Sequence, residues 1–278
     1  MKRNIMIVLA AVFAAIFLFS GVMLWHDYRD QKASAEVFDN VADLIMEETQ
    51  PATEPDAEDA GTLPMEPDET TEPAAAEMTA YEKYSAVYAQ NNDFVGWLCI
   101  EGTNINYPVM QTVEEPNYYL KRGFDRAYSD YGVPYVQENC ALGISDNIVI
   151  YGHNMSNGSM FADLCKYEDE SFFRDHPIIR FDTLSGYGEY EIVTVFKTVV
   201  YSREGFKYYH FVNAESAADF DAFLAQCREL ELYDTGVSAE YGDQLITLST
   251  CEYSRKNGRM VIVAKLIAPP AVECDPDA

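Results

Sequence analysis

Cys251 and Arg259 stand eight positions apart at the two ends of one short stretch, with Cys251 closing the strand-like run TLSTC and Arg259 opening MVIVAKL. A thiol near its ordinary pKa of ~8.5 is only a few per cent thiolate at neutral pH, and a neighbouring cation raises that fraction. The same cation stabilises the oxyanion that forms when a thiolate adds to a carbonyl. Such chemistry also needs a proton carrier. Of the four histidines, His26 follows an apolar N-terminal run, His176 precedes Pro177, and His210 lies among the aromatics of KYYHF, where it is expected to pack. His153 differs, because it follows the strand-like IVIY and Gly152, where a loop can present it. A lone histidine there would ordinarily be read as structural. The Cys and Arg context turns the reading toward a general acid/base.

The hairpin that carries the pair has two readings. Asn257-Gly258 is a turn signal, since both residues accept positive φ. Taken as a tight two-residue turn, it sets Lys256 against Arg259 and Cys251 opposite Ala264. With residues 252–258 as a wider connection, Cys251 faces Arg259, and directly opposed Cβ atoms lie about 4.5–5.5 Å apart. The wide connection is favoured because 252–258 shows little apolar alternation, whereas 244–250 and 260–267 are nearly all apolar.

Short strands must position these residues. Runs rich in Val, Ile, Tyr and Phe fall at 95–100, 105–109, 133–137, 147–151, 178–182, 189–201, 244–250 and 259–267, separated by Gly, Asn, Asp and Pro. Eight such runs predict a mainly β fold, a closed or nearly closed barrel that leaves no exposed edge. Helices interrupt it. At 216–230, Phe220, Phe223, Leu224, Cys227 and Leu230 share one face behind Ser216 as N-cap, and a second helical piece is expected at 158–169. Six cysteines are present. Cys99, Cys165 and Cys227 sit in apolar runs as small hydrophobes, while the state of Cys140 and Cys274 stays open.

Before the barrel lies a different kind of sequence. Residues 5–25 are uncharged and overwhelmingly apolar, and as a helix they reach roughly 30 Å, the thickness of a bilayer core. A cleaved signal peptide would have a shorter apolar core, about 7–15 residues, and a small-residue cleavage site. Lys2 and Arg3 in the 1–4 tail favour a cytoplasmic N-terminus, with everything after Trp25 outside. A short amphipathic helix is expected within 26–46, from Val37, Val41, Leu44 and Ile45. Residues 47–80 hold eleven carboxylates, five prolines and no basic residue, which predicts a disordered, extended tether. The folded unit is expected at 81–268, with a 269–278 tail and no core contribution from anchor or tether. The net charge of -27 repels phosphate backbones and argues against nucleic acid as a partner. No metal-ligand cluster and no cofactor motif is apparent.

NIVIYGHNMSNGSMFADL, LITLSTC and GRMVIVAKL together resemble the sortase family, membrane-anchored cysteine transpeptidases of Gram-positive bacteria. NDFVGWLCIEGTNINYPVMQ, the GHNM…GSMFADL block and a long helix before TLSTC point to class B. The resemblance covers about residues 90–267 and implies an eight-stranded sortase-like barrel with inserted helices. It implies Cys251 as nucleophile, His153 as general acid/base and Arg259 as the oxyanion- and substrate-binding arginine. The backbone N–H of Glu252 is a candidate second oxyanion donor, and Ser249 a candidate substrate contact, although a serine in a strand is more often packed or solvated. The implied reaction cleaves a Thr-Gly bond in the C-terminal sorting signal of a secreted protein through a thioacyl enzyme. Transfer follows to a cell-wall peptide amine, a peptidoglycan precursor or a pilin lysine. Against this stand a non-catalytic surface-binding or adhesion barrel, in which Cys251 is a core residue, and other cell-wall cysteine enzymes, L,D-transpeptidase-like or papain-like. The strand-Cys-loop-Arg hairpin fits neither of the latter two well.

Overall fold

A computed structural model describes residues 2–48, 78–203 and 205–267. Eight strands form it: β1 (Phe94–Cys99), β2 (Asn106–Met110), β3 (Tyr135–Val136), β4 (Asn147–Tyr151), β5 (Ile178–Thr183), β6 (Glu189–Val199), β7 (Leu245–Glu252) and β8 (Gly258–Leu266). They close a barrel in the order β1-β2-β3-β4-β7-β8-β6-β5. All eight expected strands are present. The expected 133–137 strand shrinks to two residues, because Met110↔Tyr135 is the whole of its pairing with β2.

Most neighbours are antiparallel, but β4 and β7 pair in parallel from Asn147↔Leu245 to Tyr151↔Ser249. Parallel neighbours cannot be joined by a hairpin and need a long crossover. Here it spans 152–244 and contains β5, β6, α3 (Glu170–Asp175) and α4 (Ala217–Glu229). Both strands therefore leave the barrel at the same end. Val149, Ile150, Leu248, Val261, Ile262 and Phe196 are wholly buried, as expected where helices and loops cover the outer face of a sheet.

Ser216 caps α4 by accepting the Asp219 N–H, and the helix buries Phe220, Phe223, Leu224 and Cys227. The expected helix at 158–169 is broken. Asn154 bridges to Met160, Met160 takes φ 57°, and a 3-10 helix follows over Ala162–Glu168. A helix the sequence reading overlooked, α2 (Ala80–Gln90), starts with a capping box in which Thr79 and Glu82 satisfy each other's backbone N–H. Its Tyr84 stacks on Trp97 and donates to Asp182 at 2.6 Å.

The N-terminal stretch is one helix, α1 (Lys2–Glu48), so the apolar run and the expected amphipathic segment are continuous. It is long and apolar enough to cross a membrane. Its far end corrects one expectation: Phe38 and Val41 are 8% and 2% exposed and belong to the hydrophobic core, with the Phe38 ring edge-on to Tyr107 at 5.2 Å. Apolar side chains at helical spacing had a partner surface, and the barrel supplies it. Most of the expected tether, residues 49–77, and the tail from 268, with Cys274, lie outside the described residues.

Candidate active site

The β7–β8 register decides between the two hairpin readings. Cys251 pairs with Arg259 and Glu252 with Gly258, while Ala264 pairs with Ile246. The connection is the wide kind, trimmed to residues 253–257. Asn257 takes φ 59°. Gly258 follows because a Cβ there would lie 2.5 Å from the Glu252 carbonyl oxygen.

His153 lies in the loop that follows β4, which is tied to the cysteine strand. Beyond the last rung, the Gly152 N–H donates to the Ser249 carbonyl at 3.2 Å and the Thr250 hydroxyl to the Gly152 carbonyl at 2.8 Å. The β4–β7 pairing ends at Tyr151↔Ser249, and His153 follows two residues later in the loop that leaves β4. The Asn154 side-chain amide donates to the Cys251 carbonyl at 2.8 Å, and the Tyr253 hydroxyl donates to the Asn154 carbonyl at 3.0 Å. Gly152 lets the chain turn, since a Cβ would meet the Phe161 ring at 2.5 Å. The Phe161 N–H closes the loop onto the His153 carbonyl at 2.8 Å. In the strand order β4-β7-β8, the cysteine strand lies between β4, whose following loop carries His153, and β8, which carries Arg259.

The His153 ring meets the Leu120 carbonyl through Nε2 at 2.7 Å. A carbonyl only accepts, so Nε2 carries the hydrogen and Nδ1 is the basic nitrogen of the neutral ring. Burial holds the His153 pKa below the ordinary imidazole value, against a smaller upward pull from the Leu120 bond. The ring is therefore uncharged at neutral pH, ready to take a proton.

Arg259 donates through Nη1 to its neighbour's Gly258 carbonyl at 2.8 Å. Among the described residues no carboxylate pairs with it, although the chain carries 46 acidic side chains. It lines a cavity of about 610 Å³ with Leu120, Tyr135, Tyr151, Tyr208 and Tyr209. His153, Asn154 and Tyr253 line a second hollow of about 660 Å³.

Ser249 lies on the Cys251 face of β7 but is only 1% exposed. Its hydroxyl shares a 2.6 Å hydrogen bond with Tyr208, so it braces the cavity wall from behind. Glu252 turns its carboxylate to the loop, accepting from the Ser254 N–H at 2.8 Å and hydroxyl at 2.7 Å. His210, expected to pack, is exposed on the cavity rim, and its neighbour Tyr208 is the buried member of KYYHF.

All five described cysteines are free. Burial pushes the Cys140 and Cys165 thiols up to about 11 and raises Cys99 and Cys227 as well. These four stay protonated and unreactive at neutral pH. Among the described residues no group of His, Cys, Asp and Glu side chains is placed to hold a metal ion. Asn154, Tyr208 and the Leu120 carbonyl escaped the sequence reading. Asn154, next to His153 in GHN, offered a signal, whereas a main-chain carbonyl offers none.

A closed eight-stranded barrel with a thiol strand flanked by an imidazole loop and an unpaired guanidinium has the architecture of a barrel-type cysteine transpeptidase. The sortase domain family model matches residues 98–267. Sortase B of Listeria monocytogenes is 36% identical over 181 residues, 64% of this chain and 71% of that protein. A Staphylococcus aureus sortase B–substrate complex is 30% identical and superposes with a TM-score of 0.61, covering 66% of this chain and 84% of that one. Sortase B of B. anthracis, in complex with AAEK1, is 27% identical with a TM-score of 0.67, over 86% of this chain and 99% of that one. The chain belongs to the sortase family of cysteine transpeptidases, and its matched relatives are of class B.

Proposed function

We propose that the protein is a membrane-anchored class B sortase that cleaves a C-terminal sorting signal at a Thr-Gly bond and joins the threonine carboxyl to a second amine. The observation that carries the reading is the Cys251↔Arg259 rung, flanked by the His153 loop that Asn154 ties to the Cys251 carbonyl.

The Cys251 sulfur adds to the threonine carbonyl carbon as its proton passes to His153 Nδ1. Arg259, which pairs with no carboxylate among the described residues, holds the oxyanion together with a backbone N–H, that of Glu252 being next in the chain. The C–N bond breaks, and His153 returns the proton to the departing glycine amine, leaving a thioacyl enzyme. An acceptor amine then adds to the same carbon, gives its proton to Nδ1, and expels the Cys251 sulfur. The acceptor belongs to a cell-wall peptide, a peptidoglycan precursor or a pilin lysine. The tyrosine-walled cavity beside Arg259 has the size and the mixed polar and apolar lining that an extended peptide needs. The S. aureus sortase B solved with its substrate supports a peptide in such a groove. Lys2 and Arg3 ahead of the apolar run of α1 favour a cytoplasmic N-terminus, which would put the barrel outside, facing secreted proteins.

A threonine-aldehyde or vinyl-sulfone peptide mimic tests the reading by mass spectrometry. One adduct is expected, at Cys251, and it disappears in Cys251→Ala. Absence of an adduct on folded protein would leave a surface-binding barrel instead.

A further inference from the structure

The carbonyl that holds the His153 ring belongs to a flap with two sides. One is the 3-10 helix Tyr118–Lys121, and the other is the segment 128–133. The Ser129 N–H donates to the Lys121 carbonyl at 3.1 Å and the Val133 N–H to the Tyr119 carbonyl at 3.1 Å. Lys121 and Asp130 pair at 2.8 Å, and Arg122 bridges to Tyr128. Gly132 lies against the turn so closely that a Cβ would sit 2.6 Å from the Tyr119 oxygen and 2.8 Å from the Leu120 oxygen. The direction in which the Leu120 carbonyl points is thus set by where 128–133 sits.

That segment is held from outside the barrel. The Asp130 N–H donates to the Asp30 carboxylate of α1 at 2.8 Å, and the hydroxyls of Ser34 and Ser129 share a hydrogen bond of 3.0 Å. Asp30 and Ser34 are four residues apart, on one face of α1. Four residues beyond Ser34, Phe38 packs into the core on Tyr107. The Tyr107 hydroxyl in turn accepts the Met160 N–H at 3.0 Å, within the loop that begins at His153. Helix α1 therefore touches the imidazole's surroundings at both ends, through the flap at Nε2 and through Tyr107 behind the loop.

We infer that Asp30 and Ser34 are positioning residues for His153: the membrane-proximal part of α1 sets the orientation of the imidazole through the 118–133 flap. The consequence for turnover rests on the proposed role of His153 as proton carrier. The geometric claim does not. The charged groups facing His153 from the flap are Lys121 and Asp130, so a displaced flap changes both the burial and the charge around the ring.

The test uses the full-length protein in lipid nanodiscs with isotope-labelled histidine, which gives four ring signals, His153 being assigned by its loss in His153→Gln. In Asp30→Ala, in Ser34→Ala and in the double variant, the His153 titration midpoint is expected to rise toward the ordinary imidazole value as the ring is uncovered. Asp30→Asn keeps an acceptor oxygen and is expected to restore the original midpoint. Lys32→Ala, on the exposed face of α1, is expected to leave it unchanged. A midpoint that stays put in the double variant, with His153 still assigned, overturns the proposal, as does an equal shift in Lys32→Ala. Iodoacetamide alkylation of Cys251 across pH, on the same variants, isolates the other reading. If coupled to His153, the rate at neutral pH changes by roughly two- to thirtyfold in the double variant. A moved midpoint with an unmoved alkylation profile keeps the positioning claim and removes His153 from the chemistry of Cys251.

Discussion

Arg259 is conspicuous at the scale of single residues because of what it lacks. In a chain of net charge -27, this half-buried guanidinium has no carboxylate partner among the described residues, which fits the proposed role of receiving an incoming oxyanion, since the planar fork suits a carboxyl-derived oxygen. Arg259→Lys is expected to keep the fold and lose most transpeptidation, because a point-like ammonium cannot reproduce the fork. Near-native turnover by that variant, followed by product chromatography, would make Arg259 peripheral. Cys251, His153 and Arg259 were singled out in the sequence because each side chain has few uses in the place where it stands, and the structure puts Cys251 and Arg259 on one rung. Ser249 was harder. Its strand position put it on the right face, but only the structure reveals the Tyr208 hydroxyl that occupies it. Asn154 was hidden for a related reason, since its work is done on the Cys251 carbonyl, and main-chain partners leave no mark on composition.

At the scale of elements, the β7–β8 hairpin is the part whose geometry the proposed chemistry depends on most directly. Its register hangs on a glycine packed against the Glu252 carbonyl. Gly258→Ala forces either the strand end or the loop to shift, and such overpacking costs about 1–3 kcal/mol. Chemical denaturation should show a loss of that order, accompanied by slower labelling of Cys251 as the rung with Arg259 is disturbed. An alanine variant with wild-type stability and labelling would show that the hairpin absorbs the methyl without moving the site. The strands were readable from β-branched and aromatic runs, and the hairpin width from where apolar alternation stopped. Helix α2 was missed although TAYE carries its capping box, because the acidic tether before it drew the boundary. The break at Met160 was missed because its positive φ is imposed by the bridge to Asn154 and the Tyr107 contact, which no local propensity reports.

At the scale of the whole molecule, helix α1 and the barrel meet in one core. The sequence showed the right apolar spacing at Val37, Val41, Leu44 and Ile45, yet which surface would receive them is a tertiary fact. Phe38 and Val41 are part of that core, and loss of a buried aromatic alone costs about 3–5 kcal/mol. A chain beginning at residue 27 is therefore expected to be more stable than one beginning at residue 78, by at least ~2 kcal/mol in urea unfolding. Equal midpoints and slopes for the two would mean that α1 is dispensable to the core.

Helix α1 is a single rod of 47 residues, about 70 Å long, and it grips the barrel through Asp30, Ser34 and Phe38. Every residue inserted between its apolar run and Asp30 would swing the barrel by ~100° about the rod. The bearing of the barrel about the apolar run is thus written into the number of residues between Trp25 and Asp30.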